Sequence, residues 1–375
     1  MFDIVLRGAL SLEQAEHAVG AALSSSARGE RVHLDLSGLR SFQPGAASRI
    51  GNAIREVARR SALTATMPHD RRGLSALLAA GIGPQFAAHA STLRTTAGPR
   101  TKELRKELAS VPALPTTDLL VTTLPRHPAF VSRKRAAVRS LVDEWLSNFP
   151  TARGRLPETR ERNSIVELIV EAGSNVLDHS SKRPWSGEPV HSLLRLQWRY
   201  REELQLLPEG FTGEDESTRY LGALVDGLPE VGALTGLLEI SVVDDGVGIA
   251  ARQALDADIV KDPSTATERR AFADALVAGG TVKLRALDCP VEMEPGFGSE
   301  WILHSIRSMY GYASIRSGRV SVSFNALLEG DGGTGFALDP VDRSWVGGTI
   351  LTVLLPVFER PRPVAEVAPA SDRLF

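Results

Sequence analysis

The stretch from Ile165 to His179, IVELIVEAGSNVLDH, constrains this chain more than any other. Ile165, Leu168, Ile169, Ala172 and Val176 fall at helical spacing and make one apolar stripe, the mark of a helix laid against a core. Glu171, Asn175 and His179 recur every four residues and make a polar stripe beside it. A polar stripe on a helix is commonly a solvated face, and the stripe alone does not choose between that and a site. The chemical alternative is specific. A magnesium ion carried by a nucleotide wants hard oxygen ligands and keeps most of its coordination for water and phosphate, so one amide oxygen, that of Asn175, is a typical protein share. Glu171, one turn earlier, is then placed to accept a proton from whatever attacks the γ-phosphate. His179 could touch phosphate or substrate, or serve only to end the helix.

Three glycine-bearing motifs follow in order. Val242-Val-Asp-Asp-Gly-Val-Gly-Ile249 puts Asp244 at the end of a buried strand, with Gly246 and Gly248 after it and Ile249 closing the turn. A carboxylate there can accept from the exocyclic amine of adenine, and the glycines let the backbone turn and approach a ligand. Gly296-Phe-Gly298 directly precedes a helix, where free N–H groups can face phosphate oxygens; a plain loop-to-helix turn reads the same way. Gly347-Gly-Thr349 opens a strand, and the Thr349 hydroxyl can join Asp244 in holding a base. No one motif decides; their order and their placement on helix, strand end, helix start and strand do.

Around them the chain reads as α/β in two parts. Residues 1–96 alternate strand and helix: a strand at 2–6, a helix at 12–23 capped by Ser11, a strand at 32–36, a helix at 46–60, a strand at 62–67, and a helix at 74–88 interrupted at Gly81-Ile82-Gly83. Residues 97–114 are charged and Pro-punctuated and read as a linker. Residues 115–357 start with a strand at 118–124 and a helix at 132–148, then the helix described above, strands at 193–200 and 236–244, helices at 268–278 and 300–310, and strands at 313–316, 320–325 and 349–355. Two polar stretches stand out, an insert at about 199–235 and a lid-like stretch at about 250–295; residues 358–375 have the composition of a disordered tail.

This order resembles the GHKL (Bergerat-fold) ATPase superfamily, and within it the anti-sigma-factor serine kinases. Leu124-Pro-Arg-His-Pro-Ala-Phe-Val-Ser-Arg-Lys-Arg135 is similar to that branch's opening strand and helix, and Val170 to His179 to its metal-binding helix. The resemblance implies an α/β sandwich of a mixed sheet layered with helices, holding ATP and Mg2+. It implies Glu171 as general base, Asn175 as magnesium ligand, Asp244 on adenine, Gly246, Gly248, Gly296 and Gly298 shaping the lid and phosphate loop, and Thr349 supporting the base. The second glycine motif departs from the usual Gly-x-Gly-Leu. The first part resembles the STAS fold of anti-sigma-factor antagonists, on Val32-His-Leu-Asp-Leu-Ser-Gly-Leu39, Phe42-Gln-Pro-Gly45 and Leu77-Leu78-Ala-Ala-Gly-Ile82. Pro44 stands where phosphorylated members carry serine, so that part reads as a docking or regulatory module.

Two functions remain open: an ATP-using enzyme, either an ATPase or a serine/threonine protein kinase, and a nucleotide-gated scaffold that binds ATP without turning it over. Both expect a protein partner, regulatory or STAS-type, and leave a homodimer open. A formal net charge of −2 argues against a nucleic-acid binder working by bulk electrostatics. No apolar run approaches a membrane span, the start lacks a signal-peptide pattern, and the lone cysteine Cys289 fits a reducing compartment, so the expected location is the cytoplasm. No histidine ahead of residue 160 has the setting of a histidine-kinase phosphoacceptor.

Overall fold

The computed structural model describes residues 1–42, 45–96, 98–99, 101–109, 119–123, 135–147, 159–179, 192–201, 204, 216–226, 233–244, 246, 248–249, 265–270, 298–327, 336–338 and 346–358. It is an α/β structure with two sheets. Strands β1 (Phe2–Leu10), β2 (Val32–Phe42), β3 (Leu63–Met67), β4 (Thr92–Thr95) and β5 (Gly98–Pro99) lie in that order in the first sheet. The first four are parallel and β5 is antiparallel to β4. Parallel neighbours need crossovers, and helices α1 (Leu12–Ala27), α2 (Ala46–Arg60), α3 (Arg71–Ala79) and α4 (Gly83–His89) supply them.

Local chemistry sets these elements. Ser11 caps α1 with a full capping box, its Oγ accepting from Gln14 N while Gln14 Oε1 accepts from Ser11 N, both at 3.0 Å. The expected break at Gly81 is real, with Gly81 at a φ of +71° between α3 and α4. β2 runs six residues further than its alternation suggested, because Leu39 and Phe42 stay buried past the polar Ser37 and Gly38. The stretch read as a linker carries a helix, α5 (Thr101–Ala109), whose Leu104 and Leu108 belong to the first buried cluster. Its charges hid that pairing: five of the seven residues from 102 to 108 are Lys, Glu or Arg.

The second sheet has seven strands, all antiparallel to their neighbours, in the order β11 (Phe336–Leu338), β10 (Val320–Asn325), β9 (Tyr312–Gly318), β12 (Val346–Phe358), β8 (Leu234–Asp244), β7 (Ser192–Tyr200) and β6 (Leu119–Thr123). Helices α6 (Arg135–Ser147), α7 (Thr159–His179) and α9 (Gly298–Ser308) cover one face. The apolar stripe read from the sequence, Ile165, Leu168, Ile169, Ala172 and Val176, is buried there with Leu238, Ile240 and Val242 of β8 and Leu351, Val353 and Leu355 of β12. Alternation sends Glu239 and Ser241 of β8 to the other face.

That outer face is covered in two places. Helix α8 (Glu216–Asp226), inside the polar insert, packs Tyr220, Leu221 and Leu224 on Leu237, Tyr312 and Leu354, and the Tyr220 hydroxyl donates to Tyr310 O at 3.0 Å. The N-terminal α/β unit meets another part of it. The start of α2 lies over β8 and β12, where the Gly45 N–H donates to Glu239 Oε1 at 2.9 Å. No helix among the described residues is long and apolar enough to cross a membrane.

Candidate functional site

Four polar side chains form one row across the second sheet. Asp244 of β8 pairs with Ser192 of β7 on one side and Thr349 of β12 on the other, and Thr349 pairs with Ser317 of β9. Each is two residues from an apolar neighbour packed under the helices: Val242, Leu194, Leu351 and Ile315. Side chains alternate along a strand, so all four in the row share the helix-covered face. The apolar core therefore gives way to a hydroxyl–carboxylate–hydroxyl row at one end of the sheet.

Backbone geometry closes round this row. Asp244 is only 3% exposed, and its Oδ1 accepts from Gly246 N at 2.8 Å, turning the chain at the strand end. Gly248 then takes a φ of +83°, which a residue with a Cβ adopts at a penalty. A Cβ on Gly248 would stand 2.6 Å from Ser317 Oγ and 3.2 Å from Gly348 O. The next residue, Ile249, donates its N–H to Ser317 Oγ at 2.7 Å. Gly348 also has a positive φ, +82°. The glycine turns of two motifs a hundred residues apart in sequence thus meet against Ser317.

Helix α7 packs on β8, the strand that carries Asp244, with Ala172 and Val176 in the same buried cluster as Val242. Glu171 is half-buried and Asn175 exposed, one turn apart on that helix; four residues rise about 6 Å. His179 is the last residue of α7, and its side chain lies outside the described residues. Gly298 opens α9, which packs on α7, and Gly296 lies outside the described residues. So does most of the stretch 250–295. Within it, residues 265–270 are helical, and the buried Glu268 carboxylate accepts from Arg319 N, 3.4 Å from each oxygen.

Chemically, the row offers one buried acceptor, Asp244, flanked by hydroxyls that can donate or accept, with glycine backbone on one side. That suits a planar ligand presenting an amine donor. No group of three or more His, Cys, Asp and Glu side chains converges among the described residues. Asn175, an exposed amide one turn from a carboxylate, fits a cation that arrives with its own phosphate and water ligands.

No protein-family model, curated protein or solved structure matches this chain.

The structure brings Asp244, Gly246, Gly248, Ile249 and Thr349 to one sheet end, with Glu171 and Asn175 on the adjoining helix. It adds Ser317, Ser192 and Glu268, which no motif marked. The available signal for Ser317 was alternation: Ala313, Ile315 and Ser317 share one face, and a serine ending such a run stands where the core stops.

Proposed function

We propose that residues 115–357 form a Bergerat-type ATP site of the GHKL kind, working as a magnesium-dependent ATPase or as a serine/threonine protein kinase of the anti-sigma-kinase type. The observation that carries this reading is the Asp244–Thr349–Ser317 row, closed by the contact of the Gly248 and Gly348 turns, with Glu171 and Asn175 on the helix that packs against β8. Asp244 would accept from the adenine amine, and Thr349 would support the base. Asn175 would hold magnesium, which neutralises phosphate charge when bound. Glu171 would take the proton from an attacking water or hydroxyl. Gly298, at the start of α9, and Gly296 before it would offer backbone N–H groups to phosphate. The N-terminal unit, STAS-like in its order of strands and helices, would serve as the regulatory part, with a protein partner rather than nucleic acid or membrane, in the cytoplasm.

Magnesium-dependent ATP binding and hydrolysis, measured on the whole chain beside Glu171→Ala and Asn175→Ala, tests it. Binding by the wild type and Glu171→Ala, with turnover lost in both Glu171→Ala and Asn175→Ala, is the expected result; no binding to the wild type sinks the reading. The alternative, a nucleotide-gated scaffold, is favoured by one observation, the N-terminal unit packed on the back of the same sheet. It predicts tight binding with hydrolysis at background.

A further inference from the structure

We infer that the N-terminal α/β unit is a releasable module, held on the outer face of the seven-stranded sheet by two Arg–Glu–Arg triads and the hydrogen bonds made across the contact beside them, rather than by a shared apolar core. One triad is centred on the sheet. Glu239, fully buried, is gripped by Arg195 and Arg199 of β7, each at 2.7 Å, and takes the Gly45 N–H from the N-terminal unit. The other is centred on the N-terminal unit. Glu16 of α1 meets Arg49 of α2 at 2.7 Å on its own side and Arg316 of β9 from the sheet. Two further hydrogen bonds cross over: Arg199 donates to Phe42 O at 2.9 Å and Arg49 to Ser314 Oγ at 3.3 Å.

The composition of this contact is the argument. The side chains facing each other are Glu16, Arg49, Glu239, Arg316, Ser314 and Thr352, all buried. The buried apolar clusters do not merge: the first holds only residues 4–108, and the two on the second sheet hold only residues from 138 onward. Permanent interfaces resemble a hydrophobic core cut in half, whereas contacts that form and break are more polar. Separation here would expose charges and hydroxyls to water, which solvates them, and would open neither core. Buried ion pairs add little net stability over separated, hydrated charges, yet mispairing one is heavily penalised. Such a contact specifies where the module sits without locking it there. The inference does not depend on the nucleotide reading.

Charge reversal on the whole chain tests it. Arg316→Glu faces Glu16 with a like charge; adding Glu16→Gln removes that repulsion and leaves one carboxylate and one amide beside Arg49. Small-angle scattering reads the separation and far-UV circular dichroism the fold. A single compact body of this length has a radius of gyration of about 21 Å. The expected result is that Arg316→Glu enlarges it by at least about a fifth with helical signal unchanged, and that the double variant returns to the wild-type value. Three results would overturn the inference: Arg316→Glu as compact as the wild type, a double variant as expanded as the single one, or loss of helical signal in Arg316→Glu, which would mean that the units do not stand apart.

Discussion

Ser317 accepts the Ile249 N–H at 2.7 Å, across 68 residues of sequence, and so pins the turn after Asp244 to the neighbouring hairpin. Arg316, its neighbour on β9, points the other way and meets Glu16 of the N-terminal unit. One strand therefore carries the candidate nucleotide loop on one face and the module contact on the other.

The first prediction concerns Gly248. Alanine there must hold a φ of +83° and place its Cβ 2.6 Å from Ser317 Oγ. The hydroxyl cannot retreat without dropping Ile249. Left-handed backbone alone costs about 1–2 kcal/mol, so we expect Gly248→Ala to weaken magnesium-ATP binding at least ~10-fold. Ser317→Ala, which removes one hydrogen bond and no volume clash, should lose less, about 1 kcal/mol. Titration calorimetry on both variants checks the order; a stronger effect from Ser317→Ala would contradict the steric argument.

Asp244→Asn separates the two tasks of that carboxylate. Oδ1 already accepts from Gly246 N, and asparagine retains that oxygen. The second oxygen becomes an NH2 group, a donor that opposes the adenine amine. The turn should survive while ATP affinity falls by roughly 10- to 100-fold, a loss of about 1.4–3 kcal/mol. If affinity for ATP is unchanged, Asp244 does not read the base.

Much of the fold was legible because one signal sufficed. Helix α2 begins and ends at the residues read from the sequence, Ala46 and Arg60, since Gln43-Pro-Gly45 and the strand after it leave no alternative bounds. Asp244 and Thr349 were named from separate motifs and lie directly opposite one another on β8 and β12. Other features were hidden for a physical reason. Arg195, Arg199, Glu239 and Arg316 occupy the polar positions of alternating strands, and alternation cannot distinguish a face met by water from one met by another polar surface. Ser317 stands before a single glycine, Gly318, which in sequence reads like any other turn, and its partner lies far away in the chain.

Ser11 gives a prediction about stability that owes nothing to the site. Its Oγ satisfies Gln14 N, and Gln14 returns the bond to Ser11 N. Ser11→Ala removes the first bond and unties the second. The expected loss is about 1 kcal/mol, read as a lower denaturant midpoint with an unchanged slope. A neutral result would mean that the start of α1 is held by packing of Ala15 and Val19 instead.

Glu239 supplies the last prediction, on acid. Burial alone would push its carboxyl pKa up, but the Arg195 and Arg199 charges, the Gly45 N–H and the Arg199 hydrogen bond outweigh that and hold it down at about 2, against an ordinary 4.5. Ser241 also faces it, at 3.5 Å. Because the folded value lies below the unfolded one, the stabilisation is complete above about pH 4.5 and is lost as pH falls toward 2. The difference corresponds to about 3 kcal/mol. Glu239→Gln keeps the shape, removes the charge, and leaves Arg195 and Arg199 buried without their counterion. Breaking a buried pair from one side costs about 3–5 kcal/mol, so the variant should be less stable at pH 7. Its denaturant midpoint should also change less than the wild type's between pH 4.5 and 2. Midpoints measured across that window for both proteins decide it: parallel profiles would mean that Glu239 is not the group that acid removes.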